Sequence, residues 1–294
     1  MNDDVRKIVV TGATGGLGSQ VTDQLLRLAP ASDIGVSVRD PEKARGLVAR
    51  GVRVRRGDFD QPNSLDAAFE GAERVFVIST LGDNEARFIQ QRNAIDAARR
   101  CGASHIYYTS IVQRAGSSFA ATPGHIQTEA YLADCGVAHT ILRNGNYMEN
   151  LPMFLGAALQ TGDLALPPDG PVAWVSRVDL AEGIARLMLG GAYAGETLLL
   201  VGPEALDFAD IAAIAGGLTG RRITRRVIDG SAWAKALIDR GAPPPLAKVL
   251  QTGFASRAAG ELALTDPTLA EILGRPLRTV REVLPTLVAA PAAA

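Results

Sequence analysis

Short apolar runs alternate with longer amphipathic segments through the first half of the chain. The runs are typical of buried strands, and the segments between them carry apolar side chains at helical spacing, as at Val21, Leu25 and Leu28. The pattern predicts strands at 8–11, 34–38, 52–54, 75–78, 105–109 and 138–142, separated by helices at 19–28, 41–50, 63–69, 85–100 and 125–134. Such alternation implies right-handed crossovers and a parallel sheet with helices on both faces.

The second half is less regular. It predicts helices at 151–162, 178–189 and 208–218, strands at 196–201 and 222–228, and a proline-rich turn at 166–171. The remainder reads as mostly helical with a break at 242–245. We expect residues 1–150 to carry the sheet, with about 174–201 returning to it. Residues 151–173 and 202–294 are expected to form a smaller, mostly helical lobe.

Composition removes several classes of protein. Of 294 residues 47 % are hydrophobic, and the formal net charge is −1, so a basic nucleic-acid footprint is not expected. No apolar run approaches the roughly 18 residues of a membrane span. Two cysteines and three scattered histidines lack the spacing of a zinc site, so no metal is expected. The first residues do not resemble a signal peptide, and a cytoplasmic location is the expectation.

Between the first strand and the first helix lies a glycine-rich loop, TGATGGLG at 11–18. Its glycine steps are three residues each, whereas the usual dinucleotide fingerprint begins with a two-residue step. Glycines permit a tight turn and close approach of a pyrophosphate to the helix N-terminus. We predict that the loop binds a dinucleotide in a Rossmann-like doubly wound α/β fold; the alternative is a glycine-rich turn without a ligand. The predicted contacts are Gly12, Ala13, Thr14, Gly15, Gly16, Leu17 and Gly18.

The end of the second strand indicates which dinucleotide binds. An acidic residue there would hydrogen-bond the ribose 2′-OH of NAD, whereas an arginine suits the 2′-phosphate of NADP. Arg39 comes first, and Asp40 is expected to cap a helix that begins with Pro41, so the sequence favours NADP(H). The alternative has Asp40 on the ribose and Arg39 in solvent.

Two further strand ends are expected to face the same cleft. Asp58 could bind the adenine amino group and Phe59 could stack on its ring, while Ser79, Thr80 and Leu81 would follow the ribose and nicotinamide. Ordinary turn structure explains each segment equally well.

The chain resembles the NmrA-like group of atypical short-chain dehydrogenases/reductases along essentially its whole length. The resemblance is carried by the glycine loop, by VRDPEKA at 38–44, YYTS at 107–110, HIQTE at 125–129 and LRNGNYMEN at 142–150. Within that group it is most similar to bacterial NAD(P)H:quinone oxidoreductases of type 2 and to triphenylmethane dye reductases.

The resemblance implies an NADP-binding Rossmann domain at 1–150, a small substrate lobe and extended NADPH, with Thr109 in the cofactor-binding set. It implies hydride transfer to a quinone-like or other conjugated aromatic acceptor. Asn144 and Tyr147 inherit a place beside the nicotinamide, and Asn144 a contact with the acceptor as well. A homodimer is compatible with this picture.

The departure from the family pattern concerns proton transfer. Typical short-chain dehydrogenases use Tyr-x-x-x-Lys, but here Ala121 and His125 stand at those positions, so tyrosine acid catalysis is lost. Quinones and cationic dyes need little protonation. His125 is the first candidate donor because an imidazole titrates near physiological pH, with Tyr147 and Tyr108 as alternatives; otherwise His125 binds the ribose or caps its helix.

Two other functions remain open. A non-catalytic NADP(H) sensor that regulates a partner would also lack the tyrosine and lysine. A reductase of a specialised carbonyl or imine substrate would share the same fold.

Overall fold

The computed structural model describes residues 7–114, 116–191 and 193–289. These residues divide into two compact units. The first comprises the described residues within Met1–Ile111, Pro123–Arg143 and Arg177–Leu198. The second comprises those within Val112–Thr122, Asn144–Ser176 and Leu199–Ala294.

The strands of the described chain are β1 (Ile8–Thr11), β2 (Ile34–Val38), β3 (Arg53–Arg56), β4 (Arg74–Val77), β5 (His105–Ile111), β6 (Ala138–Asn144), β7 (Asp163–Leu166), β8 (Val172–Ala173), β9 (Thr197–Leu200), β10 (Ala205–Leu206) and β11 (Thr224–Val227). The helices are α1 (Gly16–Leu28), α2 (Arg45–Val48), α3 (Asn63–Phe69), α4 (Asn84–Arg100), α5 (Thr122–Asp134), α6 (Leu151–Leu155), α7 (Ala158–Thr161), α8 (Arg177–Gly190), α9 (Phe208–Thr219), α10 (Gly230–Asp239), α11 (Pro244–Ala258), α12 (Thr268–Leu273) and α13 (Val280–Ala289).

A seven-stranded sheet has the strand order β3-β2-β1-β4-β5-β6-β9. The pairs β1/β2, β1/β4, β2/β3 and β4/β5 are parallel. Beside β6 and β9, the Ile141 N–H donates to Glu196 O and the Gly145 N–H donates to Leu200 O. Both partners advance by four residues in the same direction, as in a parallel pair. The strand order reverses between β1 and β4, where ligands bind in doubly wound folds. The predicted α/β fold with a parallel Rossmann-like sheet is confirmed.

Strands β1, β2 and β4 of this sheet are mostly apolar, as expected where both faces of a sheet are covered. Every residue of β1 and β2 is buried, as expected for parallel strands between two helical layers. Successive residues alternate in direction, so Tyr108 joins a core cluster with Val75 and Val77, whereas the Tyr107 hydroxyl donates to Leu187 O of α8 at 3.1 Å. Helix α1 packs against α8, and α3 packs against α4.

Two predicted helices differ from the structure. The segment predicted as a helix at 41–50 is a 3-10 helix, Pro41–Ala44, followed by the single turn of α2. Its predicted cap is confirmed, since the Asp40 carboxylate accepts from the Glu42 N–H at 3.1 Å. The helix predicted at 151–162 is interrupted at Gly156, whose backbone is not helical, because glycine holds a helix poorly. It forms α6 and α7 instead.

The second unit is mostly helical and has two small sheets. Strand β10 pairs antiparallel with β8, and β11 pairs parallel with β7. Its core contains the rings of Phe154, Trp174, Phe208 and Phe254, which contact one another edge to face or tilted. The guanidinium of Arg257 lies 4.8 Å from the centroid of the Phe254 ring.

Candidate functional site

The glycine loop is a tight turn between β1 and α1. Gly12 has φ +62°, the left-handed region that glycine enters without steric cost. The Gly15 N–H donates to Gly12 O at 2.9 Å, and the Gly12 N–H donates to Ser37 O at 3.2 Å. The loop is therefore closed on itself and tied to the end of β2.

Gly18 is required by close packing. A Cβ on Gly18 would overlap the carbonyl oxygen of Gly12 and lie 2.8 Å from its carbonyl carbon, and one on Gly15 would lie 3.2 Å from the same oxygen. The first turn of α1 therefore rests directly on the loop. Gly15 caps α1 without a side-chain hydrogen bond, so the N–H groups of the first turn can serve an anion. This backbone cradle fits a pyrophosphate.

Arg39 lies at the carboxyl end of β2. Its side chain is exposed and makes no hydrogen bond or ion pair within the described ranges of the chain. Asp40, in contrast, is engaged as the cap of the 3-10 helix. The charged side chain at this strand end that is available to bind a ligand is therefore the positive one, Arg39.

An open groove of about 570 Å³ adjoins the same loop. It is lined by Ala13, Thr14, Ser19, Asp23, Lys43, Ala44, Gly46, Leu47 and Arg50. The guanidinium of Arg50 is paired with Asp23 at 2.5 Å, so Lys43 is the cation of the groove that is not held tightly.

Asp58 and Phe59 follow β3 and are partly engaged by their own turn. The Asp58 carboxylate accepts from the Asp60 N–H at 3.1 Å, and the Asp58 N–H donates to Ser64 Oγ at 2.9 Å. Phe59 packs against the core cluster of the first unit. Both residues are half-buried, and their contacts with adenine stay a prediction.

The ends of β1, β4 and β5 are joined through two threonines. Thr11 Oγ1 donates to Phe76 O at 3.0 Å and accepts from the Ile78 N–H at 2.9 Å. Thr109 Oγ1 accepts from the Ser79 N–H at 2.8 Å and donates to Ser79 Oγ at 3.2 Å. The structure thus brings Ser79 and Thr109 together, with the Thr109 hydroxyl used inside the protein.

The loop after β4 is held by Arg87, a buried residue that the sequence did not single out. Its Nε donates to Thr80 O at 3.0 Å and its Nη2 to Gly82 O at 3.1 Å. Burial lowers the pKa of Arg87. Between the two anchored carbonyls, the Leu81 side chain is 95 % exposed. The available signal was a pair of polar residues, Arg87 and Gln91, one helical turn apart on α4.

His125 lies in the first turn of α5, which begins at Thr122. Its side chain is only 3 % exposed, and Nδ1 lies 2.8 Å from the Tyr108 hydroxyl. Burial, and then the charge of Arg87, lower the pKa of His125 to about 3. The imidazole is therefore neutral near pH 7, and the expectation that it titrates in the physiological range is wrong. Burial also raises the pKa of Tyr108, so its phenol stays protonated.

A partly buried ion pair joins β5, α5 and β6. The Glu129 carboxylate accepts from Ser110 Oγ at 2.5 Å and from two nitrogens of Arg143, at 3.1 and 2.6 Å. The hydrogen bonds that Arg143 donates to the Glu129 carboxylate raise the pKa of Arg143. All three residues lie in segments that carry the family resemblance, but the sequence did not predict that they bind one another.

Asn144 and Tyr147 lie together in the second unit. Asn144 is the last residue of β6 and is 4 % exposed, and its Nδ2 donates to the Tyr147 hydroxyl at 3.4 Å. The Asn144 carbonyl oxygen accepts from the Val112 N–H at 3.2 Å. Asn144 Oδ1 is buried and has no hydrogen-bond partner among the residues described. This oxygen is therefore a buried hydrogen-bond acceptor without a donor among those residues.

No helix in the ranges 7–114, 116–191 and 193–289 has the length and apolarity needed to cross a membrane. Within the same ranges, no group of three or more His, Cys, Asp or Glu side chains could hold a metal ion.

Known proteins resemble this chain over nearly all of its length. Quinone oxidoreductase 2 of Escherichia coli K12 is 35 % identical over 276 residues, which cover 94 % of this chain and 96 % of that protein. The NAD(P)H azoreductase of Xenophilus azovorans is 30 % identical over 282 residues, covering 94 % and 95 %.

Solved structures agree in fold. An NADPH-dependent quinone oxidoreductase of Escherichia coli, complexed with NADPH, superposes with a TM-score of 0.90 at 34 % identity, covering 96 % of this chain and 99 % of that one. Triphenylmethane reductase of Citrobacter sp., complexed with NADP(H), gives a TM-score of 0.89 at 31 % identity, covering 96 % and 100 %.

The model of the NmrA-like family matches residues 4–265, a span that holds the glycine loop, Arg39, His125 and Asn144. A parallel sheet with this loop at its strand-order switch is the fold that the match requires. The chain therefore belongs to the NmrA-like family.

Proposed function

We propose that the protein is an NADPH-dependent oxidoreductase that transfers hydride to a quinone or another conjugated aromatic acceptor. The observation that carries the proposal is the glycine cradle, in which Gly18 and Gly15 pack on the carbonyl of Gly12 at the start of α1. Relatives with quinone, azo-dye and triphenylmethane substrates in their names, similar along the whole chain, support the acceptor class.

The first unit would bind the cofactor. The backbone of residues 12–18 would hold the pyrophosphate, and Arg39 the 2′-phosphate. Asp58 and Phe59 would contact the adenine, and residues 79–81 with Thr109 would line the ribose and nicotinamide. The second unit would form the substrate lobe. These roles are proposals.

NADPH supplies the hydride when it is bound. The protein's part is to orient the acceptor and to exclude competing reactions. Asn144 Nδ2 and the Tyr147 hydroxyl form a pair of donors that could bind an acceptor oxygen. Hydride addition to a quinone leaves a delocalised anion that is much less basic than an alkoxide. A tyrosine acid is then dispensable, in keeping with Ala121 and a neutral His125.

The test mixes purified protein with NADPH and benzoquinone, a naphthoquinone or a triphenylmethane dye, and follows the loss of nicotinamide absorbance. Oxidation well above the protein-free rate is expected for at least one acceptor. If NADPH binds tightly but none of the panel is reduced, the proposal fails and an NADP(H) sensor explains the chain better.

Asn144→Ala adds a residue-level test. Loss of one hydrogen bond to the acceptor is expected to lower kcat/KM for a quinone roughly tenfold, more than it weakens NADPH binding. The matched control is Asn63→Ala, which removes an exposed amide at the start of α3. Equal quinone turnover in both variants would remove Asn144 from the acceptor site.

A homodimer, a cytoplasmic location and the absence of nucleic-acid binding stay predictions from the sequence. Light scattering of the purified protein tests the first, since a mass of one chain would contradict it.

A further inference from the structure

A buried chain of hydrogen bonds connects α4, β5 and α5 in the first unit. Its members are Gln91, Tyr108 and His125, of which the first two are fully buried. The Tyr108 hydroxyl donates to Gln91 Oε1 through a short contact, and it lies 2.8 Å from His125 Nδ1. The direction in which these hydrogen bonds are donated is fixed, because each group has a limited number of protons.

The proton count decides the state of the histidine. A phenol has a single O–H, and an amide oxygen only accepts, so the Tyr108 proton is committed to Gln91. The hydrogen between the phenol oxygen and His125 Nδ1 must then come from the imidazole. A neutral imidazole carries one N–H, so Nε2 is left with a lone pair.

The surroundings keep this imidazole neutral. Arg87 of α4 is the charged group that acts on His125, and its positive charge opposes protonation of the ring, as does burial. Glu129 of α5 acts on Tyr108 and disfavours the phenolate. Arg87 therefore favours the neutral imidazole, and Glu129 favours the neutral phenol. Arg87 also lowers the pKa of Tyr108, but burial raises that pKa by more.

The start of α5, which carries His125, is linked through α4 to the candidate cofactor loop after β4. The Gly124 N–H donates to Asn84 Oδ1 at 3.1 Å, so the first turns of α5 and α4 touch. From α4, Arg87 binds the carbonyls of Thr80 and Gly82. His125 Nε2 makes no hydrogen bond with any residue in the described part of the chain.

We propose that Tyr108 and Gln91 are positioning residues that hold His125 as its Nδ1–H tautomer, so that Nε2 accepts a hydrogen bond from a hydroxyl group of a bound ligand. The hydroxyl belongs either to a ribose of the dinucleotide or to the reduced acceptor. The lysine of the Tyr-x-x-x-Lys pattern, whose position His125 occupies, could only donate a hydrogen bond to such a hydroxyl, whereas His125 Nε2 accepts one. The ligand part rests on the proposed function, whereas the tautomer is a property of the ligand-free protein.

The tautomer is measured by long-range ¹H–¹⁵N NMR on protein labelled at histidine. The signals that vanish in His125→Gln identify His125 among the three histidines. At neutral pH, Nδ1 is expected to resonate as a protonated, pyrrole-type nitrogen and Nε2 as a pyridine-type nitrogen. An Nε2–H tautomer or an imidazolium would overturn the proposal, and this holds whether or not the protein reduces quinones.

Gln91→Met is expected to reverse the direction of the hydrogen bond between Tyr108 and His125 while keeping the phenol. With no amide oxygen to accept it, the Tyr108 proton turns to His125 Nδ1, and the imidazole is expected to switch to Nε2–H. Tyr108→Phe should abolish the preference for Nδ1–H. The control Tyr131→Phe removes a hydroxyl on α5 that donates to Asp96 at 2.6 Å and should leave the tautomer unchanged. An unchanged tautomer in Gln91→Met, with a native circular dichroism spectrum, would refute the positioning role.

The ligand is then identified by titration of the ¹⁵N-labelled protein. A hydrogen bond accepted by Nε2 shifts its signal away from the free pyridine-type position. A shift with NADPH alone assigns the hydroxyl to a ribose, and a shift only with NADP⁺ plus a hydroquinone assigns it to the reduced acceptor. If neither addition moves the Nε2 signal while NADPH quenches protein fluorescence, Nε2 is not a ligand contact.

Discussion

Arg39→Ala is expected to weaken the binding of NADPH and to leave the binding of NADH nearly unchanged. The Arg39 side chain is exposed and has no partner in the described residues, so its loss breaks no contact inside the protein. Any change in affinity then reports directly on the ligand. The 2′-phosphate is the group that distinguishes the two cofactors.

The size of the effect follows from the kind of contact. A hydrogen bond to a charged group contributes about 1.5–3 kcal/mol, which corresponds to roughly 10- to 100-fold in Kd. Lys43 lies four residues further on and is mostly exposed, with its Nζ 4.0 Å from the Asp40 carboxylate. A second cation close by keeps the expected loss near the lower end of this range.

The assay is a fluorescence titration with NADPH and with NADH, at two salt concentrations. The difference between wild type and variant should shrink at high salt, because exposed charges are screened beyond a Debye length of about 8–10 Å. Arg27→Ala is the control, since it removes an exposed positive charge from the last turn of α1. Equal losses for both cofactors, or an unchanged Kd for NADPH, would refute the assignment of Arg39 to the 2′-phosphate.

Three further predictions concern packing and protonation. Gly18→Ala forces a methyl group onto the backbone of the glycine loop, so it should lower the free energy of unfolding by about 1–3 kcal/mol and weaken NADPH binding. Gly217→Ala is the control and should do neither, because the space around its Cβ is open. An unchanged midpoint of urea unfolding in Gly18→Ala would contradict this prediction. Glu129→Gln breaks the ion pair with Arg143, which is mostly buried at the carboxylate and one-third exposed at the arginine. It should lower the free energy of unfolding by about 2–3 kcal/mol in the same assay. The control Asp66→Asn breaks the half-exposed pair with Arg100 and should lower it by less than about 1 kcal/mol. His125 has a folded-state pKa of about 3, below its unfolded value, so the unfolded chain takes up the proton first and stability falls as the pH drops below about 6.5. Between about pH 7 and pH 5 the wild type should lose about 2 kcal/mol more than His125→Gln in urea unfolding, and parallel losses would mean that the imidazole is not held neutral.

Much of the sheet and its cofactor loop could be predicted from the sequence because the signals are local. The strands at 8–11 and 34–38 are the observed β1 and β2, and the cap by Asp40 is present. Apolar runs, glycine spacing and a cap followed by proline act over a few residues, and the fold leaves them in place. The errors are at positions where such signals compete, as at Gly156, which interrupts an otherwise helical pattern.

The state of the candidate site was decided by tertiary structure. The sequence identified His125, but its neutral form depends on burial and on Arg87, which stands 38 positions earlier in the chain. The partners of Tyr108 lie on two different helices, and Glu129 meets Arg143 across a helix and a strand. A pKa and a hydrogen-bond direction depend on the charges and donors within a few ångströms, and those neighbours are brought together only when distant segments of the chain pack. The sequence by itself therefore determined the strands, the glycine loop and the cation at the end of β2, whereas packing determined the protonation of the residues around them.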